Sequence, residues 1–283
     1  MKDAGERAQA GKGGGAGTPK IVRGTLPLPG SLEYVEMMKY ESGAADRDAA
    51  NVPGVHAEPW LNVLDAFEPG AAPALGEALA DPAFGPRIAG RVVDLGAGTC
   101  WATAEISKLA RVEEVVALDL SERFLETVGR RIIARLEGRA EKVRFAVSAF
   151  DSIPFPDSYF DCAVLIAALH HAIAPVRVLL EAKRVVRPEG ILLVIEQPPA
   201  VLSISRRRRE GLALMAETGA TEIAYTRGEL DYLLACAGFG WRRFEAVRLF
   251  SPNPLKNLAR RALRVARLEH LVLSVGYNIW AER

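Results

Sequence analysis

Two carboxylates bracket a glycine-rich turn in this chain. Asp94 stands two residues before Gly96 in the run Val92-Val93-Asp94-Leu95-Gly96-Ala97-Gly98-Thr99-Cys100, and Asp119 follows Gly98 by 21 residues. Such a turn lets the backbone approach a ligand closely at the carboxyl end of a sheet. An acid at the tip of the next strand can accept both hydroxyls of a ribose. The dinucleotide fingerprint Gly-x-Gly-x-x-Gly fails, because its third glycine would be residue 101, which is Trp101. Asp94 argues the same way, since a carboxylate suits an ammonium or a hydrogen-bond donor better than a pyrophosphate. The plainer reading of each acid is a cap on the following helix.

A second group follows in Ile166-Ala-Ala-Leu-His170-His171-Ala172. Histidine can deprotonate a phenol or an ammonium near neutral pH, so His171 and His170 are the candidates for an acid–base role, His171 slightly preferred. The plainer reading has one histidine capping the loop and the other packing beneath it. No metal is expected here, because adjacent histidines diverge on an extended chain and no acidic cluster follows nearby. Glu196, ahead of Gln197-Pro198-Pro199, lines an acceptor pocket or ends a strand.

These residues need a scaffold of strand ends. From Gly90 onward, apolar runs at 91–95, 115–119, 143–147, 160–167 and 191–196 alternate with helical stretches at 102–110, 121–136 and 175–186. That alternation implies right-handed crossovers and a mostly parallel sheet with helices on both faces. Thr226 caps a helix to Ala237, and strands are expected at 241–249 and 271–280, which completes a Rossmann-like, doubly wound α/β sheet of seven strands. Ahead of it, residues 1–24 with their Gly11–Gly17 cluster read as a disordered tail, ordered structure starting near Ser31. Residues 25–89 read as a helical cap, with helices from Ser31, over 58–67 and over 72–80. Tyr34, Met37, Met38, Tyr40, His56 and Trp60 are its pocket-lining candidates, although aromatic and Met residues at helical spacing are mostly core.

Composition sets the outer bounds. The 36 Lys and Arg nearly balance 35 Asp and Glu, which excludes a protein-wide pull on nucleic acid. The balance is uneven along the chain: residues 200–283 hold 14 basic against 8 acidic groups. Arg206–Arg209 begins a helical insertion or lid over 201–239. Lys256, Arg260, Arg261, Arg264 and Arg267 form the basic face of an amphipathic helix over 255–268, a solvated face or a contact for a carrier protein or a lipid surface. No run reaches the roughly 18–20 apolar residues of a membrane span, and no apolar leader core is present. Cys100, Cys162 and Cys236 are too dispersed for a disulfide framework, and a reducing cytoplasmic setting is expected.

Residues 91–196 resemble the class I S-adenosylmethionine-dependent methyltransferases of the small-molecule, UbiE-like type 11 group, with looser agreement through 280. The resemblance rests on Asp94-Leu-Gly-Ala-Gly-Thr99, on Pro154-Phe155 and Phe160-Asp161 within the stretch 148–161, and on Arg187-Pro188-Glu189-Gly190-Ile191-Leu192-Leu193. It implies that S-adenosylmethionine lies over Gly96, Ala97 and Gly98, with Asp94 near its amino group. Asp119 and Leu120 would then meet the ribose, and Phe150 and Asp151 the adenine. Two departures stand out. Cys100 replaces the last motif glycine, so its side chain sits beside the cofactor or, as an inert buried thiol, under the helix. Ala149 replaces the acid that contacts the adenine amino group, which leaves Asp151 as its substitute or as a turn residue.

The function expected is methyl transfer to an oxygen or nitrogen of a small molecule by in-line displacement, with substrate contacts from Tyr34, Met38, Tyr40, Trp60 and Glu196. The motifs of exocyclic-amine and pyrimidine-carbon methylases are absent. One alternative is an RNA or protein methyltransferase that uses the basic C-terminal third. Another is a binding or scaffold protein of this fold that transfers no methyl group.

Overall fold

The structure, a computed structural model, describes residues 21–41, 71–218, 221–247 and 275–283 and short pieces between 261 and 268. The helix expected over 58–67, His56, Trp60 and most of the basic helix lie outside the described residues.

Eight strands form one sheet: β1 (Val22–Arg23), β2 (Gly90–Leu95), β3 (Val112–Asp119), β4 (Val143–Val147), β5 (Phe160–Ile166), β6 (Val186–Glu196), β7 (Trp241–Ala246) and β8 (Tyr277–Glu282). Their order is β1-β4-β3-β2-β5-β6-β8-β7. All pairings from β1 through β6 are parallel, and β8 runs antiparallel to both β6 and β7. Seven of these strands are the expected ones. The eighth, β1, corrects the reading of residues 1–24 as wholly disordered and of order starting near Ser31: Val22 and Arg23 pair with Ala146 and Val147. Two residues carry too little periodicity to announce a strand, and only the edge of β4 makes them one.

Parallel strands covered on both faces become nearly continuous apolar runs, and alternation within those runs sorts the residues into two layers. Val93, Leu95, Val116, Leu118, Ala163, Leu165, Leu192 and Val194 share one core. Helices α5 (Pro175–Val185) and α7 (Arg227–Cys236) cover that face through Val178, Leu179, Leu230 and Leu234. Val92, Val115, Cys162, Val164, Ile191, Leu193 and Ile195 turn to the other face. There they meet α2 (Ala71–Ala80) and α3 (Trp101–Ser107). The small face of α2, with Ala74, Leu75 and Ala78 buried, belongs to this layer. Asn278 on β8 donates to the Ala74 carbonyl at 2.8 Å. So α2 is part of the sheet's helical cover and not of a cap over the cofactor mouth, a correction to the boundary drawn at residue 89.

Helix α1 (Leu32–Glu41) starts where expected, with Ser31 Oγ accepting from the Tyr34 amide at 3.2 Å. Helix α4 runs from Glu122–Phe124 through a π turn at Leu125–Gly129 into Arg130–Arg135. Its cap is the expected Ser121, whose Oγ accepts from the Phe124 amide at 3.0 Å. Helix α6 (Ile204–Thr218) precedes α7, which Thr226 and Glu229 start with a reciprocal capping box.

The π turn places Gly129 against α3. A Cβ on Gly129 would stand 2.7 Å from Cys100 Sγ. Cys100 is fully buried, so it lies under the helices and not beside a ligand. Alanine's helix preference alone would make Gly129→Ala stabilising by about 1 kcal/mol. Contact with a buried sulfur reverses the sign, and a loss of roughly 1–2 kcal/mol is expected in urea unfolding. In a Cys100→Ala background the same substitution should turn neutral or stabilising. Equal losses in both backgrounds would refute the contact.

Candidate functional site

The strand order reverses between the parallel neighbours β2 and β5, since β2 continues to β3 on one side while β5 continues to β6 on the other. At such a switch point the following loops diverge and leave a crevice beyond the strand ends. The turn 96–100 and the short helical turn Leu169–His171 sit on its two sides.

Gly96 and Gly98 have φ of 74° and 50°, and Cys100 is left-handed at 62°. A left-handed cysteine costs about 1 kcal/mol relative to glycine. A Cβ on Gly96 would meet Ala168 Cβ at 2.8 Å, so the two sides of the crevice touch there. Beside Gly98 the space is open, with no atom within 4 Å of a Cβ built there. The Gly96 and Ala97 amides are used within the fold, both donating to the Leu118 carbonyl, at 2.9 and 3.0 Å.

Asp94 and Asp119 differ sharply in surroundings. Asp94 is buried, and Thr103 Oγ1 donates to its Oδ2 at 2.6 Å. Burial, opposed by the Thr103 bond and reinforced by the charge of Asp119, lifts its carboxyl to about 6. Asp119 accepts from the Gly98 amide at 2.9 Å and from the Ser121 amide at 3.2 Å. Ser121 Oγ donates to Glu41 Oε1 at 2.7 Å, and the Arg123 amide donates to the same oxygen at 3.1 Å. The end of α1 is thereby fastened to the start of α4 beside Asp119. Phe150 packs against the larger core, and Asp151 pairs with Arg177 across 3.6 Å. Leu120, next to Asp119, is half-buried.

On the other side, Glu196 is buried and braces the histidine turn. Its Oε1 accepts from the Leu169 amide at 2.9 Å, and its Oε2 lies 3.0 Å from His170 Nδ1. His171 Nδ1 lies 2.7 Å from the Thr221 carbonyl. The two rings do not diverge as an extended chain would make them. On this tight turn their centroids are 4.3 Å apart, and Glu222 Oε2 comes within 3.8 Å of His170 Nε2. No acidic cluster follows the pair in sequence, but one acid, Glu222, is brought in by the chain's path from the far side of α6, where no local pattern marks it.

A cavity of about 430 Å³ opens here, walled by Ala167, His170 and Glu196 and by Arg207, Leu214 and Tyr225 from the 201–239 insertion. His170, not His171, lines it. Burial and then the charge of Glu196 push the Tyr225 phenol up to about 12, which leaves it a donor near neutral pH. Tyr34 and Met38 do not line this cavity; Met38 is exposed while Met37 is buried on the other face of α1. Tyr34 and Met38 stand on α1, away from the cavity's described lining. The Tyr40 side chain and Trp60 lie outside the described residues. Sequence reasoning missed Thr103, one helical turn into α3 and so within reach of Asp94, and Glu41, Thr221 and Glu222, which only tertiary structure brings in.

The fold and crevice define a Rossmann-like protein with a glycine turn and two acids at its switch point. Residues 93–194 match the family described as "Methyltransferase domain". That stretch is a class I S-adenosylmethionine-dependent methyltransferase domain. The ubiquinone/menaquinone biosynthesis C-methyltransferase UbiE of Yersinia enterocolitica is 36% identical over 113 residues, 40% of this chain and 44% of that protein. The chain thus matches less than half the length of the curated relatives. Among solved structures, an S-adenosylmethionine-dependent methyltransferase of Thermotoga maritima superposes with a TM-score of 0.54 at 17% identity, covering 87% of this chain and 98% of that one. The [4+2]-cyclase SpnF does so at 0.56 and 21%, covering 92% and 98%. At these identities the likeness is one of fold, and a fold of this kind hosts more than one chemistry.

Asp94 ties stability to pH. An unfolded carboxyl titrates near about 4, whereas the buried one titrates at about 6. Between those values the folded protein holds more protons than the unfolded chain, so its stability falls as pH rises from about 4 to 6. Asp94→Asn keeps the shape without the charge. Relative to the wild type, it should gain about 2–3 kcal/mol in urea unfolding between pH 4 and 7. A difference that is constant with pH would show that Asp94 titrates normally.

Proposed function

We propose that this chain transfers the methyl group of S-adenosylmethionine to an oxygen or nitrogen of a small molecule held in the cavity beside His170. The observation that carries the reading is the contact of Gly96 with Ala168, which brings the cofactor turn and the histidine turn to one crevice. The residues suit a cationic cofactor: no Lys or Arg occurs in 94–100, Asp94 can receive an ammonium, and the face of Gly98 is open. Asp119 and Leu120 stand at the ribose, and Phe150 and Asp151 at the adenine. When bound, the cofactor supplies an electrophilic methyl on a sulfonium; the acceptor's lone pair takes the methyl and the carbon–sulfur pair stays with sulfur as S-adenosylhomocysteine.

The chain's own contribution is alignment and exclusion of water. Residues 201–239 form the lid wall on the acceptor side. An acceptor O–H or N–H must also lose its proton, and the Glu196–His170 pair is the group at the cavity able to assist. His171, tied to Thr221, holds that turn. Three unpaired cysteines fit action in a reducing cytoplasm. Transfer to carbon, the reaction in the curated relatives' name, is the second reading, and the methylated product decides between them.

Calorimetry with S-adenosylmethionine tests the reading. The wild type should bind one equivalent. Asp119→Ala should bind on the order of 10–100-fold more weakly, because charged hydrogen bonds of about 1.5–3 kcal/mol are lost. Absence of binding, or an unchanged affinity in Asp119→Ala, refutes it.

A further inference from the structure

His170, His171 and Glu222 meet at one point from two distant parts of the chain. One ligand atom from each lies within 4.8 Å of the other two. Two nitrogens and a carboxylate oxygen in that arrangement are a donor set for a divalent transition cation. We propose that this cluster binds such a cation, and that an open coordination position on it holds a hydroxyl oxygen of the acceptor.

The outer partners of the two imidazoles support the assignment. Metal-bound histidines use one ring nitrogen on the metal and donate the other N–H to a carboxylate or a backbone carbonyl, which fixes the ring. Both rings have such an outer partner. His170 Nδ1 faces the Glu196 carboxylate at 3.0 Å, and His171 Nδ1 faces the Thr221 carbonyl at 2.7 Å. Each ring is therefore set with Nε2 as its remaining nitrogen, and His170 Nε2 is the atom 3.8 Å from Glu222. The backbone is locked around the cluster as well, since the Ile223 amide donates to the His170 carbonyl at 2.9 Å. Glu196 has both oxygens engaged, by Leu169 and His170, and acts as the outer partner.

The donor chemistry selects the ion. Mg²⁺ and Ca²⁺ prefer oxygen-only shells, whereas imidazole with one carboxylate suits Zn²⁺, Co²⁺ or Fe²⁺. Three protein ligands leave at least one position open, the arrangement of catalytic and not of closed structural sites. A hydroxyl held there gives up its proton to solvent more readily, as metal-bound water does. With the ion bound, the Glu196–His170 pair therefore assists by holding the ion and not by taking the proton itself. This acceptor role rests on the methyl-transfer reading above; binding of the ion itself does not. The proposal narrows the acceptor to molecules with an ionisable hydroxyl next to the methylated position or at it.

The test uses the tag-free, full-length protein freed of metal with a chelator. Co²⁺ is titrated and followed by visible absorption, and Zn²⁺ by calorimetry. One ion per chain is expected, with Glu222→Gln and His171→Gln each weakening it at least 10-fold and Glu196→Gln weakening it 10–100-fold. Circular dichroism checks that each variant is folded, and Glu222, whose side chain is 42% exposed, is the variant least able to disturb the core. Sub-stoichiometric binding, or binding unchanged in both Glu222→Gln and His171→Gln, overturns the site. Metal-free protein that still binds S-adenosylmethionine while failing to bind Co²⁺ would sink this inference and leave methyl transfer standing.

Discussion

The arrangement of the crevice depends on one close approach, Gly96 against Ala168. A side chain at 96 would meet the Ala168 methyl well inside contact distance. Without that approach, the turn after β2 and the turn after β5 would separate, and the acids at 94 and 119 would lose their spatial relation to the histidines. The sheet order makes the approach available, because β2 and β5 are neighbours whose loops leave in opposite directions. The glycine's φ of 74° makes it achievable without strain.

From that contact the site divides into a tightly packed half and a half walled by an insertion. Asp94 and Cys100 are buried while Gly98 faces open space, and burial pushes the Cys100 thiol well up, so it stays protonated. Around His170 the walls come from the insertion after β6 and enclose a cavity. A glycine turn fixed by the sheet stands beside a pocket built by an insertion, and the insertion can change without disturbing the strands.

The glycine turn and its two acids were legible in the sequence because their signals are local. Asp94 to Gly98 is a strand end and its turn, and Asp119 follows by a strand–helix–strand interval that chain geometry fixes. The buried role of Cys100 could also be read from residue type alone. The surroundings of the histidine turn were not legible. Glu222 reaches His170 only through the path of α6, and the pairing of the two rings depends on a helical turn where an extended chain was expected. The absence of Tyr34 and Met38 from the His170 cavity has a related reason: helical spacing marks an apolar face but not what that face meets. Met37 took the buried position, and α1 was oriented by Glu41 at its far end, a polar contact that hydrophobic periodicity does not register.

The two-residue strand β1 has a consequence for the protein's life among other chains. Without it, β4 would be the outer strand of the sheet and would offer a row of unpaired amides and carbonyls to any extended peptide. Val22 and Arg23 cover the end of that row at Ala146 and Val147, and Thr25 continues past it, its carbonyl accepting from the Ala149 amide at 2.8 Å and from Ser148 Oγ at 3.1 Å. So brief a strand has little stability of its own. Its worth is in occupancy: a tethered segment holds the edge at high local concentration and denies it to strangers, which makes the stretch around residues 22–25 a guard against self-association.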